Sequence, residues 1–430
     1  MGNKAIRAAT IACAALLCAI ACERQQAVVN SPQPVPGYWQ ASITLPGGTI
    51  ETGIEFGKAG ERYQATLING QERVRIDEVR FDGSELLLRF PAFGNEIRAT
   101  FSDGMLEGEL VLVKRHGDTQ SMPFSAVPGN KRDEKDSEHP KHDLSGRWRV
   151  TFHEPDGTDS PSIGEFAQRG SRLFGTFLNP DGDYRYLAGH VRGNRFKLST
   201  FDGAHAFIFS GEIDAAGEIR IADFWSGTSW HQSWSAVRDA NVKLPDSFQR
   251  TYLNPGYDTF NFEFPDPDGV NVSLADEKFA GKVVIVTIAG TWCPNCNDEA
   301  RMMVSLHKEY RAQGLEVVAL MFEHFDDQAV AAEQVKRFRE KFAIEYDTLI
   351  AGVSDKVEAS KALPALSGVL AFPTTIFIGR SGRVRKIHTG FSGPGTGEHY
   401  TRLQQEFRQL IASLLAEPPD LIESLTSPET

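Results

Sequence analysis

Over residues 37–240 short runs carry apolar side chains at every second position. Leu86, Leu88 and Phe90 alternate with other residues, as do Val74 with Ile76, Trp148 with Val150 and Phe152, and Ile219 with Ile221. A period of two with one apolar face predicts half-buried strands. Turn pairs punctuate them: Asn69-Gly70, Asp82-Gly83, Asp103-Gly104, Asp181-Gly182 and Asp202-Gly203. Beyond about residue 258 the pattern changes. Residues 283–288 are an apolar run of strand length, and a helix is predicted from Pro294, with Met303, Leu306 and Tyr310 on one face. Gly314 follows as its cap. Strand 315–322, helix 329–342 and a hairpin of 374–378 and 384–387 across Ser381-Gly382 come next. The last amphipathic helix carries Tyr400, Leu403, Phe407, Leu410, Ile411 and Leu414. Uninterrupted strands alternating with helices predict an α/β domain with both sheet faces covered.

The all-β part contains the same pattern twice. Gly37-Tyr38-Trp39 recurs as Gly146-Arg147-Trp148, 109 positions later. Further on the offset is 110: Glu55-Phe56 with Glu165-Phe166, Gly60 with Gly170, Arg62 with Arg172, Asn69 with Asn179, and Ser125-Ala126-Val127 with Ser235-Ala236-Val237. A period this long marks a duplicated domain rather than a solenoid. About eight short strands per copy fit an up-and-down barrel, with a β-sandwich as the other architecture. The Gly-x-Trp opening resembles the first-strand signature of lipocalin-like barrels.

The fold class is therefore multidomain, two duplicated antiparallel all-β domains followed by an α/β domain. The expected division is 1–21 signal peptide, 22–35 tether, 36–128 first repeat, 129–144 charged linker, 145–240 second repeat, 241–257 connector, 258–416 α/β domain and 417–430 tail.

Composition narrows the setting. The chain is 41% hydrophobic and 24% charged, as folded globular domains are. Its 57 acids outnumber 45 Lys and Arg, and no block is strongly basic, which argues against nucleic acid as a partner. Lys4 and Arg7 precede an uncharged run at 8–21, too short to span a bilayer but of signal-peptide length. Ala19-Ile20-Ala21-Cys22 resembles the bacterial lipoprotein cleavage box, with Ala19 where leucine is usual. That resemblance implies lipid on Cys22; the alternative is plain secretion after cleavage near Ala21. Cys13 and Cys18 would leave with the signal, so Cys293 and Cys296 would remain as the free thiols, in a compartment that permits disulfides.

Those two stand in Trp292-Cys293-Pro294-Asn295-Cys296, where a buried strand ends and a helix begins. A helix N-terminus carries unpaired N–H groups and partial positive charge, which favour a thiolate at Cys293. Cys296, one turn on, can resolve a mixed disulfide formed there. A zinc site would need about four ligands, and a purely structural disulfide would close a tiny loop of little value. His139-x-x-His142 lies in the linker and reads as incidental. No metal and no cofactor are called for. Far along the chain, Phe372-Pro373-Thr374 opens a strand, and a proline there can mark a cis peptide.

At these residues the chain resembles the thioredoxin superfamily and, more narrowly, TlpA-like thiol-disulfide oxidoreductases. The likeness rests on Gly281-Lys282-Val283-Val284 leading to Thr291-Trp292-Cys293, on Glu299, on Phe372-Pro373-Thr374-Thr375, on Ser381-Gly382-Arg383-Val384 and on Thr389-Gly390-Phe391. It implies a dithiol in which Cys293 attacks and Cys296 resolves, Trp292 covers the site, and Phe372 with Pro373 holds the substrate strand. The implied partners are protein disulfides or thiols and a membrane thiol donor, and the implied place is a tethered position facing the periplasm. Thr287 stands where thioredoxins keep a buried aspartate, and Arg301 where a proline is usual. Glu299 is the candidate proton relay in its place, a solvated helix face being the plainer location for such a residue. Pro294 and Asn295 supply neither charge nor imidazole, which favours a reductant. Two other readings remain. A thiol peroxidase would want threonine three residues before the cysteine, where Gly290 stands; Thr291 is two before it. A ligand-binding barrel with an accessory redox domain would be lined by Phe207, Phe209, Phe224 and Trp225.

Overall fold

The computed structural model describes residues 35–60, 62–129 and 138–418. Cys13, Cys18, Cys22, the signal segment and most of the tail lie outside the described residues. Among those described, the first repeat forms nine strands: β1 Gly37–Leu45, β2 Gly48–Ala59, β3 Arg62–Asn69, β4 Glu72–Arg75, β5 Glu78–Asp82, β6 Glu85–Phe90, β7 Asn95–Ser102, β8 Met105–Val113 and β9 Thr119–Pro128. The second repeats the set: β10 Gly146–His153, β11 Asp159–Arg169, β12 Arg172–Asn179, β13 Gly182–Asp183, β14 Leu187–Arg192, β15 Arg195–Phe201, β16 Ala206–Glu212, β17 Ile219–Ser226 and β18 Trp230–Arg238. Both copies keep the same anchor. Trp39 donates its indole N–H to the carbonyl of Val35, and Trp148 to that of Leu144, each at 2.9 Å across four positions.

The copies differ in closure. In the second, β12 carries β11 on one edge and β14 on the other, so eight strands form a closed barrel with the two-residue β13 as an outlier. In the first, the far edge of β3 is occupied by β4, from Thr66↔Arg75 to Asn69↔Glu72. The sheet therefore stays open, ordered β4-β3-β2-β1-β9-β8-β7-β6-β5. The expected eight-stranded barrel holds for one copy, and in the other a longer hairpin strand blocks the closing ladder. Lys341 of the third domain reaches into that region, 2.9 Å from Asp77 and over the ring of Phe93.

The closed barrel is filled by its own rings. Phe209 stacks on Phe224 at 4.4 Å and on Phe177 at 4.5 Å, with Phe152, Tyr184 and Trp234 around them. Phe207 belongs to the same core, whereas Trp225 lies tilted against His231 and abuts Gly47 of the first repeat, so it lines no interior. Part of the expected solvated linker is held against the second repeat, with Lys141 N–H bonded to Gly193 and Leu144 buried.

The third domain adds a short hairpin, β19 Glu263–Pro265 with β20 Asn271–Ser273, and a five-stranded mixed sheet. The sheet strands are β21 Val283–Ala289, β22 Leu315–Glu323, β23 Asp347–Val353, β24 Thr374–Ile378 and β25 Val384–Thr389, ordered β23-β22-β21-β24-β25. The helices are α1 Pro294–Tyr310, α2 Gln328–Phe342, α3 Lys356–Ala362 and α4 Glu398–Leu415. Val283 and Ile285 face a core shared with α1, α2 and α4, while Val284, Val286 and Ile288 face the core that includes α3. This two-sided burial explains why the run is apolar on both faces. No helix among the described residues is long and apolar enough to cross a membrane.

Candidate functional site

β21 delivers the chain to Gly290, and Cys293 becomes the N-cap of α1, with Pro294 at its first helical position. The Cys293 sulfur accepts the N–H of Cys296 at 3.2 Å and lies 3.4 Å from the carbonyl of Phe372, to which its thiol donates. The Phe372–Pro373 peptide is cis. Residues 79 positions apart thus meet at one sulfur. Trp292 stands beside them, its indole N–H on the carbonyl of Phe322 at 2.8 Å and its ring edge-on to Phe372. Its other face stacks on His324 at 4.6 Å. Burial, helped by Lys114, Arg115 and neighbouring histidines, holds His324 down at about 3, so the stacked ring is neutral. Both cysteines are free, Cys293 5% exposed and Cys296 1%. Burial, then the neighbouring Cys293 and Glu299, push the Cys296 thiol well above its usual range.

Glu299 is not on a solvated face. It is 1% exposed, and its carboxylate accepts the hydroxyl of Thr375. Burial pushes it up to about 8, against the downward pull of that hydrogen bond. Helical spacing accounts for its position, four residues before Met303 and seven before Leu306, both fully buried. Thr287 faces Thr375 across the β21–β24 ladder. An acid is therefore present beneath the dithiol, supplied by the helix rather than by the strand. Arg301, in place of the usual proline, pairs with Asp298 at 2.6 Å and lies over Phe342.

A second buried acid has no counterpart in the sequence reading. Glu323, at the end of β22, accepts both the N–H of Thr291 at 2.9 Å and its hydroxyl at 2.6 Å, which fixes the turn entering Trp292-Cys293. Burial raises it to about 7. An acid closing an apolar strand was the available signal, and nothing local linked it to Thr291.

The second repeat also reaches the motif. Asn295, between the cysteines, donates to the carbonyl of Asp183 at 3.3 Å. Arg185 joins all three folded units, pairing with Glu72 of the first repeat, Asp202 of the second and Asp298 of α1, and touching the carbonyl of Pro294. Beside this junction a cleft of about 1050 Å³ runs between β4 and helices α1 and α2, with Pro294 and Asn297 in its wall.

The C-terminal part of the chain is similar to known proteins. The family described as AhpC/TSA matches residues 255–387. The thiol-disulfide oxidoreductase ResA of Halalkalibacterium halodurans is 28% identical over 162 residues, 38% of this chain and 80% of that protein. The thioredoxin-like protein YneN of Bacillus subtilis is 32% identical over 138 residues, 32% of this chain and 73% of that protein. Among solved structures, a putative thiol:disulfide interchange protein DsbE from Chlorobium tepidum is 22% identical with a TM-score of 0.30, covering 38% of this chain and 99% of that one.

Proposed function

Because the chain belongs, through its C-terminal α/β domain, to the thioredoxin-like thiol-disulfide oxidoreductases, we propose that Cys293 and Cys296 are its exchanging pair and that the protein reduces disulfides of partner proteins. The observation that carries this is the Cys293 sulfur, poised between the Cys296 N–H and the Phe372 carbonyl at the start of α1. The Cys293 thiolate attacks one sulfur of a partner disulfide; an S–S bond forms, the partner's S–S bond breaks, and the departing sulfur takes up a proton. Cys296 then loses its proton and attacks Cys293, releasing the second partner thiol. The partner gains two electrons and two protons, and the enzyme is left as the Cys293–Cys296 disulfide. Glu299 is the group that receives the Cys296 proton. Phe372 and Pro373 hold the partner's strand, and Trp292 shields the sulfur.

The oxidised pair is re-reduced by a membrane thiol donor. Lipid on Cys22 holds the protein on the periplasmic side, in reach of that donor; Cys22→Ser should release it from detergent extracts or stall its maturation. A peroxidase reading is supported less well, since the hydroxyl of Thr291 is committed to Glu323. The test is trapping. Cys296→Ser should accumulate mixed disulfides with partner proteins on a non-reducing gel, and Cys293→Ser almost none. If both variants trap nothing while the wild type consumes peroxide with a thiol donor, the exchange reading fails.

A further inference from the structure

The turn Asn179-Pro180-Asp181-Gly182-Asp183 of the second repeat rests on the redox motif. Asn179 fixes its shape by accepting the N–H groups of Asp181 and Gly182 at 2.8 and 2.9 Å. Gly182 lies so close to the dithiol loop that a Cβ there would stand 2.1 Å from the amide nitrogen of Asn295. Every group of the third domain and its connector that holds the turn is a donor. Arg250 bonds Asp181 at 2.9 Å and also the carbonyl of Pro180. Lys356 reaches the other Asp181 oxygen at 2.8 Å. The N–H of Gly393 bonds the Asp183 carboxylate at 2.6 Å, and Asn295 bonds its carbonyl.

We propose that this donor-lined seat beside Cys293 is the docking surface for an acidic segment flanking the partner's cysteine, and that the turn 180–183 occupies it until such a partner displaces it. The inference rests on the dithiol reading and deepens it by naming the substrate class. Two cations and two N–H donors converge on one acidic turn, and an uncharged segment would leave Arg250 and Lys356 without the carboxylate they now share. The residue between the cysteines is itself part of the seat. A protein segment lying there must therefore take the place of the turn, and Cys293, 5% exposed, becomes accessible to it in the same event.

The probes are two disulfide-linked peptide dimers, one with Asp-Gly-Asp next to its cysteine and one with Asn-Gly-Asn, reduced by the full-length dithiol protein. The acidic dimer should react about fivefold faster at low salt, the ratio shrinking as salt is added. In Arg250→Gln/Lys356→Gln the ratio should fall to about one. Asp181→Asn loosens the turn without altering the seat, so it should speed both dimers about threefold and keep the preference. A wild-type ratio near one with both dimers reduced, a preference that survives the double variant, or unchanged rates in Asp181→Asn would each overturn the inference alone. Failure to reduce either dimer would overturn the dithiol reading and the inference with it.

Discussion

Glu299 on α1 and Thr375 on β24 are joined beneath the dithiol by a hydrogen bond of 2.5 Å from the threonine hydroxyl to the carboxylate. Thr375 is also the ladder partner of Thr287. The interior acid is thus anchored on the strand whose neighbour lacks one. An acid held at about 8 keeps its proton at neutral pH and gives it up just above. Only the ionised form can take a proton from Cys296.

Resolution of a mixed disulfide at Cys293 should therefore quicken as pH rises through about 8, the value at which Glu299 ionises. Glu299→Gln should abolish that inflection. Thr375→Val, which removes the one bond pulling the carboxyl down, should move it upward. Quenched-flow measurement of the single-turnover release step checks both. An inflection unmoved in Glu299→Gln would remove the relay role. Stability follows the same group with a defined sign. Its folded value lies above the ordinary 4.5, so the folded protein binds the extra proton between the two. The associated stability is fully present below about pH 4.5 and drains away as pH rises through about 8. Denaturant midpoints should show the wild type losing ground to Glu299→Gln over that window, by on the order of a few kcal/mol.

The two thiols should label in a fixed order. Cys296 is fully enclosed and its thiol is pushed far up. Cys293 caps the start of α1 and is the less enclosed of the two. Iodoacetamide under native conditions should modify Cys293 first, with Cys296 reacting only after unfolding. Peptide mapping of a time course decides it, and equal rates would contradict the burial described.

Thr291→Val tests the second buried acid. The substitution keeps the shape and removes the hydroxyl that Glu323 accepts at 2.6 Å, leaving that carboxyl oxygen without its partner. A buried group so orphaned costs about 1–3 kcal/mol. Urea unfolding followed by tryptophan fluorescence should show that loss; a change within about 0.5 kcal/mol would mean that water or another donor replaces the threonine.

Much of this was legible because it is written in local periodicity. The run at 283–288 is apolar at every position but Thr287 because both of its faces are covered, and Met303, Leu306 and Phe407 sit where a 3.6-residue repeat places them. Glu299 lay on the same face by its spacing, but its charge suggested solvent. Strand β23 and the seven-residue α3 carry little periodic signal, because Asp347 and Gly352 interrupt the one and the other is short. Which of the two copies closes into a barrel is not written in that periodicity. It turns on whether the hairpin strand after Asn69 or Asn179 is four residues long or two, a matter of ladder pairing rather than of composition. Arg185 with Asp298, and Asn295 with Asp183, are 113 and 112 positions apart and meet only because folded units dock.

The direction of electron flow gives the last prediction. A dithiol oxidises its partners strongly when its thiolate is much stabilised relative to the disulfide, for which the residues between the cysteines commonly supply charge or hydrogen bonds. Here those residues are Pro294, with no N–H to give, and Asn295, whose amide is turned away to the carbonyl of Asp183. Asp298, one turn into α1, adds a carboxylate that Arg185 and Arg301 balance. Cys296 is held as a thiol by burial and by the acid beneath it, which again disfavours a doubly ionised pair. The couple should accordingly lie between about −180 and about −270 mV, on the reducing side of known pairs, when equilibrated with glutathione. Asn295→His would place an imidazole beside Cys293 and break the contact with Asp183, and it should shift the couple upward. A wild-type value near about −120 mV would make the protein an oxidant and reverse the assignment.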